Sequence, residues 1–595
     1  MQKTNSNRLN LFSYFKKYMF LYFIAVLSIT ISTLLDMLAP VIVRHIVDDV
    51  LIAQNTEPLK MLLIGILCIG VGRCVFQYAK EYICDVCGSK IATEVRVNLF
   101  EKIQSLSANF FDGINSGELM SRVKDDVDRI WDIAAFMGIL MVEVIIRIIT
   151  TTYFMVRINL VLSIIPVLGM CASAVVAILM ETKLDNLFGA IQQENSEMNN
   201  TAAENLSGIR TVKAFSREGY EINKFHKHNQ KYYELNIDLS KVFVKYNPVI
   251  QTITRMLAVV TLLCGGLLVI KGDELSLTKP VTIGELIAFL AYVGNIVWPM
   301  EMLGWLTNGF SSAKASVKRL NKIYEQMPQI KDESVLSKNL DGTSSLNTDL
   351  FRPEDITGAI SFEHVSYYAG GKYILKDVSF SIGAGQTLGI MGATGSGKTS
   401  IINLLKRMYD ATEGVIKIDD VDIRELPLPV LRRSIACVMQ DVFLFSDTID
   451  GNIRLGVRDS MSTEEVRMSL EQSHSAEFVD KMENKEHTVI GERGVGLSGG
   501  QKQRITIARA LSRKTPVLVL DDSTSALDTE TEQEIQQVLN ELTGMTKIII
   551  AHRISAVRKA DKIIVLEDGH IAECGTHEEL LKLGGLYKET YDSQY

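Results

Sequence analysis

The residues best suited to chemistry lie in the last third of the chain. Gly392, Ala393, Thr394, Gly395, Ser396, Gly397, Lys398, Thr399 and Ser400 form a glycine-rich turn that ends in a basic residue and two hydroxyls. An apolar run, Thr387–Met391, precedes the turn, and a helical pattern follows from Thr399. In that strand–turn–helix setting, glycines let backbone N–H groups close around phosphate oxygens, and the helix amino end adds a positive field. The spacing therefore predicts a nucleotide phosphate site, with Lys398 on the β- and γ-phosphates and Thr399 helping to hold Mg²⁺. A second apolar strand, Val517–Leu520, runs into two carboxylates, Asp521 and Asp522, the first placed to coordinate Mg²⁺. Gln440 follows another strand and is placed to sense the γ-phosphate and the metal. His552 ends the strand Lys547–Ala551, at a carboxyl end, where α/β sheets bind ligands. Gln440 or His552 taken singly has a plainer reading as an ordinary loop or structural residue.

Positioning these residues requires an α/β domain. From Ala359 onward, short β-type runs alternate with helical ones. Residues 328–358 carry Pro328, Pro353 and several Ser and Asp without sustained periodicity, and read as a linker. The region before it, 1–327, differs in kind. Six apolar segments reach the ~20 residues needed to cross a bilayer. They fall near Tyr18–Leu38, Lys60–Ala79, Ile133–Met155, Asn159–Met180, Pro248–Ile270 and Ile283–Leu303. Long charged links at 80–132 and 181–247 imply helices projecting from one face of the membrane. Lysines and arginines crowd those links and the amino terminus, which places them in the cytosol. The expected fold is thus an all-α six-helix membrane domain at 1–327, a linker at 328–358 and an α/β P-loop ATPase domain with a helical subdomain at 359–595.

Bulk composition agrees. Hydrophobic residues make up 47% of 595 residues, while charged residues still reach 22%. Mean hydropathy is +0.15, as expected of an apolar part joined to a soluble one. A net charge of −8 gives no reason to expect nucleic acid as a partner. The eight cysteines are scattered, so a disulfide framework is not expected. Cys84 and Cys87 have redox or half-zinc spacing but no second pair, and read as plain helix residues. The apolar run after Arg8, Lys16 and Lys17 lacks a small-residue cleavage site and reads as a retained first span.

With these motifs joined to Leu497-Ser498-Gly499-Gly500-Gln501, the chain resembles an ABC transporter of the exporter type. It looks like a half-transporter, and the resemblance covers nearly the whole length. On that pattern Gly392–Thr399 is the Walker A loop, Gln440 the Q-loop glutamine, Leu497–Gln501 the signature, and Asp521 the end of Walker B. Ser525–Asp528 is the D-loop, His552 the switch histidine, and Ile490–Gly494 resembles the exporter X-loop. Phe110–Asp112 with Gly117–Arg122, and Glu204–Ser216, match the two intracellular loops that carry coupling helices. The resemblance implies ATP and Mg²⁺ as cofactors, a second half-transporter as partner, a bilayer setting in the cell membrane, and transport by alternating access. Ser498, Gly499, Gly500 and Gln501 would then complete a partner's ATP site, because the signature is remote from its own chain's phosphate loop.

Two departures matter. The adenine-stacking aromatic falls at Ala369 in the family pattern; Tyr368 is the chosen substitute, with Tyr367 and Tyr373 as alternatives. Asp522 stands where a glutamate usually polarises the attacking water, and its carboxylate is one methylene shorter. An ordinary homodimer with adjusted geometry is one reading. The sharper one is a heterodimer in which this chain keeps a slow site and lends its intact signature to a competent one. The leading expectation for cargo is amphipathic small molecules including drugs, followed by lipids or glycolipids; an ATP-gated channel is a third class. No peptidase domain is expected before the first span. Glu143 and Arg147 lie four apart on one helix face and can simply pair; Arg73 and Arg255 are further charged candidates. Trp298, Trp305 and the many methionines suit an adaptable apolar cavity, but core or lipid-facing packing is the favoured explanation.

Overall fold

A computed structural model describes residues 8–271, 281–330, 355–455, 461–523 and 527–594. Two compact units emerge, one from Met1–Ser105 and Ile114–Met327, the other from Leu106–Gly113 and Pro328–Tyr595.

The first unit is helical. Its long helices are α1 (Met19–His45), α2 (Leu59–Gln104), α3 (Gly138–Ile158), α4 (Leu160–Ser207), α5 (Glu218–Lys271) and α6 (Ile283–Tyr324). Among the described residues, five helical stretches are long and apolar enough to cross a membrane, while the apolar part of α6, Ile283–Pro299, is shorter. At 1.5 Å per residue the 46 residues of α2 extend about 69 Å, more than twice a ~30 Å hydrocarbon core. The charged halves of α2, α4 and α5 follow from that excess length. A shared core of Met37, Met155, Leu162, Leu257, Phe289 and Tyr292 joins α1, α3, α4, α5 and α6. The Tyr292 hydroxyl donates to the Met37 carbonyl at 2.6 Å, satisfying the one polar atom this buried ring carries. Helix α6 opens on a capping box between Thr282 and Glu285, and Asp48 accepts from Gly284 N at 2.9 Å.

The second unit holds two sheets. One is antiparallel, β2 (Lys372–Ile382), β1 (Ile360–Ala369), β4 (Glu413–Ile418), β5 (Val421–Asp422) in spatial order. The other runs β10 (His570–Gly575), β9 (Lys562–Glu567), β3 (Thr387–Gly392), β8 (Thr546–Ile550), β7 (Val517–Asp521), β6 (Ile435–Val438). Within it β9, β3, β8, β7 and β6 are mutually parallel, and β10 closes the edge antiparallel to β9. Such strands are buried on both faces, which is why β7 and β8 read as unbroken apolar runs rather than alternating ones. Helix α7 (Lys398–Leu405) follows the phosphate loop, and α8 (Gly499–Leu511) follows the signature. A separate apolar cluster of Leu444, Ile449, Ile453, Val466, Leu470, Ile490 and Ile505 builds a helical subdomain between β6 and β7. Helix α9 (Leu586–Gln594) ends the described chain.

Candidate functional site

Strand order assembles the site. β3, β8, β7 and β6 are neighbours in that order and all point the same way. Their carboxyl ends therefore bring Gly392–Thr399, His552, Asp521 with Asp522, and Gln440 to one edge of one sheet. Sequence places these residues up to 160 positions apart, from Gly392 to His552; parallel pairing removes that separation.

The phosphate loop has its expected shape. Gly392 has φ of 147° and Gly397 of 102°, and a Cβ on Gly392 would sit 2.4 Å from the Leu566 carbonyl oxygen. Only glycine fits there. The Lys398 ammonium donates to the carbonyl oxygens of Gly392 (2.7 Å) and Ala393 (2.9 Å). Ser396 is buried and its hydroxyl has no hydrogen-bond partner. The Thr399 hydroxyl donates to Asp521. Thr394, Gly395 and Thr399 are exposed, while Ser400 lies half-buried in the first turn of α7.

Electrostatics favour an anion and a cation bound side by side. Burial lowers the pKa of Lys398, against the charges of Asp521 and Asp522. Burial raises that of Asp521, reinforced by the charge of Asp522 and opposed by Thr399, Lys398 and His552. An anion at the loop and a divalent cation beside Asp521 would relieve both desolvation costs. The orphaned Ser396 hydroxyl and the inward-turned Lys398 fit a triphosphate, and the Thr399–Asp521 oxygen pair fits Mg²⁺.

Asp522 is held firmly at the main chain. It adopts φ of 45°, its N–H donates to the Ile550 carbonyl at 3.0 Å, and its carbonyl accepts from Gln503 Nε2 at 3.1 Å. Gln440 and His552 are both exposed on turns just past their strands. Ser498 caps α8 through a capping box: its hydroxyl accepts from Gln501 N at 3.3 Å, and Gln501 Oε1 accepts from Ser498 N at 2.9 Å. Gly499 is exposed and Gly500 half-buried. Arg509, on the same helix, reaches the carbonyls of Asn452 (2.8 Å) and Phe443 (3.0 Å), and burial lowers its pKa to about 10. Ser525 and Ala526 of the D-loop pattern lie outside the described residues; Asp528 caps the next helix by accepting from Thr531 N at 2.9 Å.

The aromatic question separates cleanly. Gly370 and Gly371, with φ of 58° and 82°, form a two-residue turn between β1 and β2. Tyr368 and Tyr373 are thereby paired directly across the hairpin, exposed, with ring centroids 5.1 Å apart and edge-on. Tyr367 points to the other face, against Tyr409 and the domain core. The short segment Leu106–Gly113, part of the first intracellular-loop pattern, belongs to this unit. The Tyr409 hydroxyl donates to Asp112 at 2.9 Å, and the Ser107 hydroxyl accepts from Ile330 N at 3.1 Å.

Family models match both parts of the chain: "ABC transporter transmembrane region" over residues 22–300 and "ABC transporter" over residues 375–525. The chain belongs to the ABC transporter family. This ABC transporter is 34% identical over 587 residues to the uncharacterized ABC transporter ATP-binding protein YknU of Bacillus subtilis, covering 98% of this chain and 96% of that one. It is 32% identical to an ATP-dependent lipid A-core flippase of Desulfotalea psychrophila (96% of each chain). It is 31% identical to the probable multidrug resistance ABC transporter YheI of Bacillus subtilis (98% and 96%). Among solved structures, a bacterial Atm1-family ABC exporter with ATP bound superposes with a TM-score of 0.80 at 26% identity, covering 97% of this chain and 98% of that one. The protein is an exporter-type, multi-pass membrane ATPase that couples hydrolysis to transport.

In the membrane unit the candidate charges form a chain rather than a single pair. Lys80 meets Glu143 (3.3 Å), Glu143 meets Arg147 (3.7 Å), Arg147 meets Asp36 (3.0 Å), and Asp36 meets Arg73 (2.5 Å). Arg147 also lies 5.7 Å from the Trp298 ring centre. Asp36 and Lys80 escaped the sequence reading, although an acid inside the first apolar run was a visible signal. Arg255 is exposed on α5, and Trp305 packs edge-on against Phe136 at 5.8 Å.

Proposed function

We propose that this ABC transporter exports amphipathic small molecules as one half of a heterodimer, with a slow ATP site of its own. The observation that carries this reading is the anchorage of Asp522. Its backbone is tied to Ile550 and Gln503, so the main chain is not free to advance and make up for the missing methylene. A displacement of about one bond length in a group that orients water costs on the order of a hundredfold in rate.

ATP with Mg²⁺ supplies the γ-phosphoryl group whose hydrolysis drives the cycle. Lys398 and the loop N–H groups bind the phosphates, Thr399, Gln440 and Asp521 hold the metal, and His552 approaches the γ-phosphate. Tyr368 stacks on the base, and Ser498–Gln501 present a helix amino end to the partner's nucleotide. On this reading α6 serves as the sixth span, with both termini in the cytosol of a bacterial cell. The Asp36–Arg147–Glu143–Lys80 chain stands beside Trp298 as a polar element of the transport path, because buried charges in spans are costly and mark function by default.

A second reading, a homodimeric lipid or glycolipid flippase, is favoured by the flippase relatives at similar identity. Purifying the tagged chain from its native membrane, identifying what copurifies, and assaying ATPase with drugs and with lipid vesicles tests both. Full ATPase activity from the chain alone, as a homodimer, would sink the heterodimer.

A further inference from the structure

Helix α9 is stapled to the ATPase domain at both ends. At its start, the buried Glu573 carboxylate accepts from Leu586 N (2.5 Å) and Tyr587 N (3.1 Å), filling two of the helix's otherwise unpaired amino-terminal N–H groups. Tyr587 is 1% exposed, and its hydroxyl lies 2.8 Å from His577 Nδ1. At the far end, the side-chain amide of Gln594 makes two bonds to one turn. Nε2 donates to the His552 carbonyl at 2.8 Å, and Oε1 accepts from Ile554 N at 2.9 Å. A primary amide carries one donor group and one acceptor a fixed distance apart, which matches a carbonyl and an N–H two residues on. On the other side of that turn, Arg553 pairs with Glu532 at 2.6 Å.

The support is needed because little packs beneath the histidine. A cavity of about 310 Å³ separates α9 from the start of the phosphate loop, lined by Gly392, Ala393, His552, Tyr587 and Thr590 among others. The imidazole itself is exposed and lies near enough to Asp521 to bias its ionisation. A side chain in that setting is placed by its backbone, and its backbone is placed by hydrogen bonds.

We infer that Gln594 is a positioning residue for hydrolysis, acting through His552 by clamping the peptide groups on either side of Arg553. This rests on the reading of His552 as the residue that approaches the γ-phosphate. Error in that placement falls on the chemical step and not on nucleotide binding, because Lys398 and the loop N–H groups hold the phosphates independently.

The test uses the full-length chain in its native dimer, reconstituted in lipid nanodiscs. Gln594→Met keeps the length and packing of the side chain and removes both bonds. It is expected to lower kcat of this chain's own site, read as the slow phase of single-turnover hydrolysis in the dimer, roughly threefold to tenfold with KM for ATP unchanged. His552→Ala, run alongside, is expected to lower kcat by more. If His552→Ala leaves turnover intact, the reading of the histidine fails. If His552→Ala slows turnover and Gln594→Met does not, the clamp alone fails. A Gln594→Met loss that appears equally in KM, or that follows a drop in thermal midpoint and disappears on cooling, also overturns it, since general loosening of α9 would act that way.

Discussion

Lys398 donates to the carbonyl oxygen of Gly392 at 2.7 Å, six residues earlier in the same loop. The loop is thus closed on its own lysine, with a cation bonded to two neutral oxygens in a buried place. Phosphate oxygens are stronger acceptors for that ammonium, because both partners then carry charge. Lys398→Ala should weaken ATP binding on the order of a hundredfold, at about 1.5–3 kcal/mol per charged hydrogen bond lost. Titration with a fluorescent ATP analogue measures this. Binding within threefold of the parent would remove Lys398 from the phosphate site.

The anchored backbone of Asp522 makes a sharper prediction. Asp522→Glu returns the missing methylene while the Ile550 and Gln503 bonds keep the main chain in place. ATP turnover at this chain's own site should rise about tenfold or more if the short carboxylate limits it. Single-turnover measurement separates chemistry from product release. An unchanged chemical step would place the defect elsewhere.

The hairpin pair predicts a division of labour among three tyrosines. Tyr368→Ala and Tyr373→Ala should each raise KM for ATP, with the larger effect at the ring that stacks on the base; stacking is worth ~1–3 kcal/mol. Tyr367→Ala should leave KM alone and lower the thermal midpoint, since that ring packs on Tyr409. The opposite pattern would mean the hairpin turns its other face to the nucleotide.

Asp419 gives the ATPase domain an acid-sensitive joint. Burial opposes its ionisation, but the Thr357 hydroxyl and the N–H groups of Thr357, Gly358 and Ala359 outweigh it and hold the carboxyl below its ordinary value. A depressed folded-state pKa contributes stability that is present above the unfolded value, about 3.9, and lost as pH falls through the folded one. Asp419→Asn should therefore be less stable than the parent at neutral pH and converge toward it below about pH 4. Urea unfolding at several pH values tests the convergence; parallel curves would show that the bonds do not depend on the charge.

Much of the site was legible in order along the chain, because its motifs are local. The phosphate loop needs glycines at fixed spacing, the carboxylates must end an apolar strand, and the signature must cap a helix; each leaves its mark within ten residues or fewer. The helical excess of the membrane unit was likewise readable, since span length is set by bilayer thickness and charge by water. The adenine aromatic was not. Tyr367, Tyr368 and Tyr373 are equivalent by composition, and only the closure of the turn at Gly370–Gly371 sets which face each ring takes.

What the sequence by itself determined, then, is the family, the ATP chemistry and the shortened carboxylate at position 522. Tertiary structure decided which distant residues share an environment. Parallel pairing of β3, β8, β7 and β6 put Gln440, Asp521 and His552 on one edge, helix packing linked Asp36 to Arg147, and α9 brought Gln594 to the histidine turn. Such contacts join side chains tens to hundreds of residues apart. They depend on where whole strands and helices pack, so no local pattern of residue types announces them.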